Sequence, residues 1–190
     1  DAAADGYLKA DGLGVVFLQR KSVARRIYMS IVHVKSSADG WKEEGPHFPS
    51  GKSQAKLLRE AYAECGVDPR IVTYVEAHGT GTKVGDPQEV NAIAEVLGPP
   101  GGRSGPLLMG SVKSNMGHAE SASGIASLAK LIVSCERRCI PANLHFREPN
   151  PDIRALADGR IKVVDEETRW NLGYASINSF GFGGANTHAI

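Results

Sequence analysis

Twice in this chain an apolar run ends in a glycine-rich turn that carries a histidine, and an amphipathic helix follows each time. The first run is Ile71 to Ala77, then His78-Gly79-Thr80-Gly81-Thr82, then a helix opening near Asp86. The second is Leu107 to Met109, then Gly110 to His118 with Lys113 in it, then a helix whose first turns are small. A buried-type strand, a tight turn and an amphipathic helix form the repeating unit of a layered α/β fold. In such sheets the loops at the carboxyl ends of strands carry the sites. His78 and the Lys113–His118 segment both occupy loops of that kind.

Composition narrows what such a site can serve. The 190 residues suffice for one domain with a real core. A formal net charge of +1 gives no general attraction to nucleic acid or to an anionic membrane. No apolar run approaches the length of a membrane span. Asp1 to Gly6 lack the basic start and apolar stretch of a secretion signal. Three cysteines, an odd number, argue against a disulfide framework and fit a reducing, cytoplasmic setting. There is no opening Met, and the chain stops as an apolar strand begins at Thr187, so a fragment of a longer protein is expected.

Along the chain, Leu13 to Leu18 and Arg26 to Lys35 read as strands, forming a hairpin or adjacent pair, and Ser36 to Ser50 as a loop. Leu58, Ala61, Tyr62 and Cys65 mark a helix over Lys52 to Cys65, stopped by Gly66. In the next helix Asp86 is the expected N-cap, Pro87 the first helical residue, and Glu89 the partner of a capping box. Its stripe is Val90, Ile93, Ala94 and Leu97. Pro99 to Pro106 reads as a mobile loop. Ile125, Leu128, Ala129 and Ile132 define the apolar face of the helix after His118. Further strands are expected over Ile140 to Phe146, Ile161 to Val164 and Tyr174 to Asn178, with Gly181 to Gly184 as the turn of a final hairpin. There is no internal repeat and no low-complexity tract.

The chemistry lies in the two loops. Neutral imidazoles donate one hydrogen bond each, and a pair can hold a carbonyl oxygen as it gains negative charge. The Lys113 ammonium adds a fixed positive charge, and Thr80 and Thr82 offer hydroxyls to a polar ligand arm. Ser179 to Gly184 offers backbone N–H groups, though taken alone it reads as a hairpin turn. His33, His47, His145 and His188 read as structural. A reactive thiolate wants a helix N-terminus or a cationic neighbour. Cys65, Cys135 and Cys139 all sit at or beyond helix C-termini and read as packing residues. Cys135 and Cys139 form a single pair with no partner pair at metal-finger spacing. A nucleotide-binding loop over Gly79 to Gly85 is the rival. Its third glycine comes one place late, and Glu89 falls where phosphate would sit.

Four motifs in order carry a resemblance. They are Val75-Glu76-Ala77-His78-Gly79-Thr80-Gly81-Thr82, Gly85-Asp86-Pro87, Lys113-Ser114-Asn115-Met116-Gly117-His118 and Asn178-Ser179-Phe180-Gly181-Phe182-Gly183-Gly184-Ala185-Asn186. Together they resemble the C-terminal half of a β-ketoacyl synthase, and Ala4 to Gly12 matches the segment soon after that family's nucleophile. Lys21 to Tyr28, Asp39 to Gly45, Phe48 to Gly51 and Asn115 to Gly124 are similar to animal-type fatty acid synthase.

The resemblance implies a thiolase-like α/β fold over residues 1–190, lacking its N-terminal nucleophile half and dimeric in the parent. It implies decarboxylative Claisen condensation with malonyl carried on the phosphopantetheine of an acyl carrier protein. No cofactor is expected on this domain itself, and no metal. His78 and His118 would bind the malonyl thioester carbonyl, and Lys113 would support the site electrostatically. Thr80 and Thr82 would contact the pantetheine arm. Phe182 would gate the acyl tunnel and lend its N–H to an oxyanion hole. With no nucleophile in the chain, the fragment alone is expected to be inactive and poorly stable. The alternatives are a polyketide synthase ketosynthase and a non-condensing thiolase-like decarboxylase or partner subunit.

Overall fold

The computed structural model describes residues 1–98 and 101–190. Its elements in chain order are β1 (Val34–Ala38), α1 (Gly51–Cys65), β2 (Val72–Glu76), α2 (Gly85–Leu97), β3 (Leu107–Gly110), α3 (Lys113–Met116), α4 (Ser123–Arg137), β4 (Cys139–Ile140), α5 (Arg154–Ala157), β5 (Ile161–Val163), β6 (Thr168–Arg169), β7 (Tyr174–Phe180) and β8 (Ala185–Ala189). Six strands make one mixed sheet in the order β1-β8-β7-β2-β3-β5. β7, β2, β3 and β5 run parallel, while β8 returns antiparallel to β7 and carries β1 antiparallel on its outer edge. β4 and β6 form a separate antiparallel pair.

Both faces of the sheet are covered, so β2 reads as a near-continuous apolar run rather than an alternating one. α1 and α2 pack on each other, and Leu58, Ala61, Val90, Ile93 and Leu97 join Val72, Val75 and Leu107 in one core. On the other face Leu131 of α4 meets Tyr74, Ile140, Val164 and Trp170. α2 buries the stripe expected of it, and α1 buries Leu58, Ala61 and Tyr62 while Cys65 is half-buried. Ser50 accepts from the Ser53 N–H at the start of α1, and Gly66, at φ 70°, closes it.

The strand expectations fail over Leu13 to Leu18 and Arg26 to His33. Those residues carry no strand, and Leu13, Val15 and Phe17 are exposed. An apolar run reports a side-chain preference for burial, whereas a strand also needs a continuous backbone partner; among the described residues only Val32 and His33 of these find one, in hydrogen bonds with the Ile190 backbone. The edge strand is β1, which keeps only Val34 and Lys35 of the expected Arg26–Lys35 strand and continues through Ser36 to Ala38, read as a loop. It registers Val34 to Ala38 against Ala189 to Ala185. Of the expected Ile140–Phe146 strand only Ile140 lies in a strand, as the second residue of β4; Pro141 has no N–H to continue the ladder. Pro99 and Pro100 lie outside the described residues. The rest of that loop is pinned by Arg103, which donates to the Arg70 carbonyl at 2.8 Å.

α4 turns over relative to expectation. Its buried residues are Ser123, Ser127, Lys130, Leu131 and Ser134, while Ala129 is exposed and Ile125, Leu128 and Ile132 are half-buried. Small residues let the helix lie close to β7, with Gly124 against Ser179, and close approach outweighs the apolar stripe. The stripe meets the irregular N-terminal segment instead, where a Cβ on Gly14 would run into Ile125. Leu131→Ala is expected to lower urea-unfolding stability by about 2–5 kcal/mol, as for a core truncation. Val133→Ala, 55% exposed against 1% for Leu131, is expected to stay within about 0.5 kcal/mol.

Candidate functional site

Parallel pairing sets Glu76 of β2 level with Gly110 of β3 and with Ile177 of β7. The residues just beyond these strand ends therefore meet: His78 from β2, Ser111 to His118 from β3, and Phe180 at the end of β7. The His78 and His118 rings lie 5.3 Å apart, edge to face. The expected convergence of two imidazoles is present.

Each ring is held by its Nδ1. His78 Nδ1 accepts from the Phe180 N–H at 3.4 Å, and His118 Nδ1 accepts from the Glu120 N–H at 2.9 Å. A nitrogen that accepts a hydrogen bond carries no proton, so in each neutral ring the proton sits on Nε2. Both rings stay neutral. Burial, then the Lys113 ammonium, then His118 push the His78 pKa down to about 3, and burial with Lys113 lowers that of His118. Burial also lowers the Lys113 pKa, opposed by the negative charges of Glu89, Glu76 and Asp86. Two Nε2–H donors beside an ammonium suit an oxygen that gains negative charge.

A carboxylate anchors the first loop. Glu89 of α2 accepts from the N–H groups of His78 at 2.7 Å and Gly79 at 2.8 Å, and from the Asn178 side-chain amide at 2.9 Å. The Asn178 oxygen in turn takes a hydrogen bond from His188 Nδ1 at 2.7 Å. Glu89 is thus not a capping-box partner of its own helix, and Asp86 is not its N-cap. α2 starts at Gly85, whose N–H is taken by Thr82 Oγ1 at 3.0 Å, and the Asp86 carboxylate accepts from Gly81 N–H at 2.9 Å. The loop folds back on the helix, so its acidic residues serve the loop rather than the helix terminus. Glu89 also occupies the two amides that a phosphate would need in the nucleotide reading. Gly79 allows the closeness: at φ 47°, a Cβ there would come within 2.8 Å of the Ser111 Cβ.

The N-terminal segment straps the site. Gly6 N–H donates to the Gly81 carbonyl at 2.9 Å, His118 N–H to the Leu8 carbonyl at 2.8 Å, and Ala10 N–H to the His118 carbonyl at 3.0 Å. The Tyr7 ring lies 4.9 Å from that of His118. A cavity of about 260 Å³ opens here, with Tyr7, Thr80, Asp86, Ser111, Lys113 and His118 in its lining. Thr80 therefore faces it, while the Thr82 hydroxyl is committed to the start of α2. Phe182 stands apart, 73% exposed on the hairpin turn with its ring 4.5 Å from His47. Phe180 is the aromatic beside the imidazoles, its ring 5.7 Å from His78.

Glu89, Asn178 and Phe180 had no site role in the sequence-based expectations. The signal was there, since Glu89 stands one turn into a helix that follows a histidine loop and the other two sit in a quoted motif. Cys65, Cys135 and Cys139 are unpaired and half-buried, and burial raises the thiol pKa of Cys135 and Cys139. Neither of these two resembles an activated nucleophile. Among the described residues no group of three potential ligands could hold a metal ion, and no helix is long and apolar enough to cross a membrane.

His78 and His188, the latter pushed down by burial to about 4, take up protons more readily unfolded than folded. Stability is then full above the ordinary histidine pKa of about 6.5 and falls as pH drops toward 4, by up to about 1.4 kcal/mol per pH unit for each ring. Nitrogen-15 spectra are expected to show both rings neutral at pH 5, and urea midpoints to fall between pH 7 and pH 5.

Residues 28–147 match the model of the β-ketoacyl synthase C-terminal domain, and residues 149–190 that of the ketoacyl-synthetase C-terminal extension. A highly reducing polyketide synthase, resH of Aspergillus sclerotiorum, is 44% identical over all of this chain, which spans 8% of that protein. A fatty acid synthase of Anser anser anser is 52% identical over 72% of the chain, 38% of the relative's length. Among solved structures, the oxazolomycin ketosynthase domain OzmH KS7 of Streptomyces albus JA3453 superposes on 98% of the chain with a TM-score of 0.88 at 31% identity, and the chain covers 34% of it. The matched residues and this thiolase-like ketosynthase architecture together place the chain in the β-ketoacyl synthase family, as its C-terminal domain.

Proposed function

We propose that this domain supplies the decarboxylating half of a ketosynthase site. The malonyl thioester, delivered on the phosphopantetheine of an acyl carrier protein, places its carbonyl oxygen between the Nε2–H groups of His78 and His118. The bond from the α-carbon to the malonyl carboxylate breaks, carbon dioxide leaves, and the electron pair passes into the thioester enolate held by the two donors. The enolate carbon then attacks an acyl thioester on a cysteine of the parent protein. A carbon–carbon bond forms and the cysteine thiolate leaves, giving a 3-oxoacyl carrier protein. The carrying observation is the pair of converging neutral imidazoles with Nδ1 occupied on both.

Lys113 has an electrostatic part. Its positive charge disfavours protonation of either ring and so keeps both as neutral donors with one N–H each. Thr80, on the cavity wall, is placed for the pantetheine arm. A homodimeric parent fits the same family reading.

The parent is read as an animal-type fatty acid synthase on the local motifs and on the 52% identity to the goose enzyme. A second reading, a polyketide synthase, is favoured by matches of 42–44% identity that run the whole length of the chain. The product of the intact synthase separates them: a saturated acid supports the first, an oxygenated or unsaturated chain the second.

In the intact synthase, His78→Ala or His118→Ala is expected to slow malonyl decarboxylation about 10²–10³-fold, the cost of one oxyanion donor. Acyl loading of the nucleophile should change little. Release of labelled carbon dioxide from malonyl carrier protein measures the first and acyl-enzyme mass the second. Unaltered decarboxylation in both variants would sink the proposal. Thr80→Ala is expected to raise KM for the malonyl carrier several-fold, whereas Thr82→Ala should lower stability by about 0.5–2 kcal/mol through lost capping.

A further inference from the structure

Beneath the Lys113–His118 turn lies a polar group that the chemistry above does not use. Glu76, the last residue of β2, is wholly buried. Its Oε2 is 2.8 Å from the Lys130 ammonium of α4 and accepts from the Tyr74 hydroxyl at 2.7 Å. Lys130 also donates to the Tyr74 hydroxyl oxygen at 2.9 Å, closing a triangle between sheet and helix. The other carboxylate oxygen, Oε1, points the opposite way and accepts from the Val112 N–H at 2.5 Å. Val112 immediately precedes Lys113 and stands at the start of α3, where no side chain of the helix itself provides a cap. Such an N–H otherwise goes unsatisfied.

From this placement we propose that Glu76 is a positioning residue: the Lys130–Glu76 pair fixes the carboxylate, and the carboxylate sets where the Lys113–His118 turn begins. The ion pair is the buttress and the hydrogen bond to Val112 is the contact that matters to the site. A buried pair of this kind is weak evidence for stability, since well-packed uncharged residues often replace one at no loss. Its geometric use here is to hold one oxygen at a loop that would otherwise choose its own position. The neighbouring Ser111 N–H is held similarly, by the Asn143 side-chain oxygen at 2.9 Å, so the turn is fastened at successive residues. The consequence for catalysis rests on the function proposed above; the consequence for the turn does not.

The test uses the intact synthase and two variants that both remove the ion pair as a whole. E76Q/K130M keeps an oxygen for Val112, and E76M/K130M does not. A third variant, V112P, deletes the donor instead; Val112 has φ −59°, which proline accepts. Hydrogen exchange over residues 113–117 is expected to run at least about tenfold faster in E76M/K130M and V112P than in the parent or E76Q/K130M. Malonyl decarboxylation kcat is expected to fall about tenfold in the same two, with KM for the carrier and acyl loading near parental. E76Q/K130M should retain both the slow exchange and most of the kcat. Equal exchange in the two paired variants, with V112P also at the parental rate, overturns the proposal. Should one variant fail to load acyl groups, the other still decides. If exchange separates the variants but kcat does not, the anchoring of the turn stands and the enolate reading of Lys113–His118 is what fails.

Discussion

Parallel register across β7, β2 and β3 is the constraint on which the site depends. Glu76 lies level with both Gly110 and Ile177, so β2 and β3 end at one height beside β7, which runs on to Phe180, and the residues after the first two share one space with the end of the third. A single-residue slip of β3 against β2 would move Lys113 and His118 by one strand step, about 3.3 Å, and turn the adjoining side chains to the other face. The register is held from both faces, by α1 and α2 over Val72 and Val75 and by α4 over Tyr74. Packing far from the imidazoles therefore decides how close they come.

Charge in this region is arranged to keep two histidines neutral. Acidic groups are present in quantity, but Glu89 is spent on the backbone of His78 and Gly79 and on Asn178, and Asp86 on Gly81. Among the described residues no carboxylate is hydrogen-bonded to either ring; backbone N–H groups hold both. A carboxylate at Nδ1 would favour imidazolium, and a protonated ring would trade a neutral donor for a full charge. Backbone donors at Nδ1 do the reverse, and the nearby ammonium reinforces them.

Much of this was legible in the residues. The stop of α1 at Gly66, the stripe of α2, the strands after Ile71 and before Lys113, and the final hairpin all depend on neighbours within a few positions. So does the placing of His78, Lys113 and His118 on loops after strands, which follows from element order. The failures share a cause. Leu13 to Leu18 and Arg26 to Ile31 have strand-like side chains and no strand partner among the described residues, and Ser36 to Ala38 of β1 have a partner without strand-like side chains. α4 buries serines and a lysine because close approach to β7 and an acidic partner at Glu76 outweigh its apolar stripe.

Residue order alone settled the layered α/β class and the strand-end loops that carry His78, Lys113 and His118, because period, capping and turn preference are local properties. Folding in three dimensions settled which nitrogen of each imidazole bears the proton, that Glu89 and Asn178 hold the first loop, that Glu76 reaches Val112, and that Phe180 rather than Phe182 stands beside His78. Those contacts join residues tens of positions apart, and a contact between distant segments leaves no periodic trace in either of them.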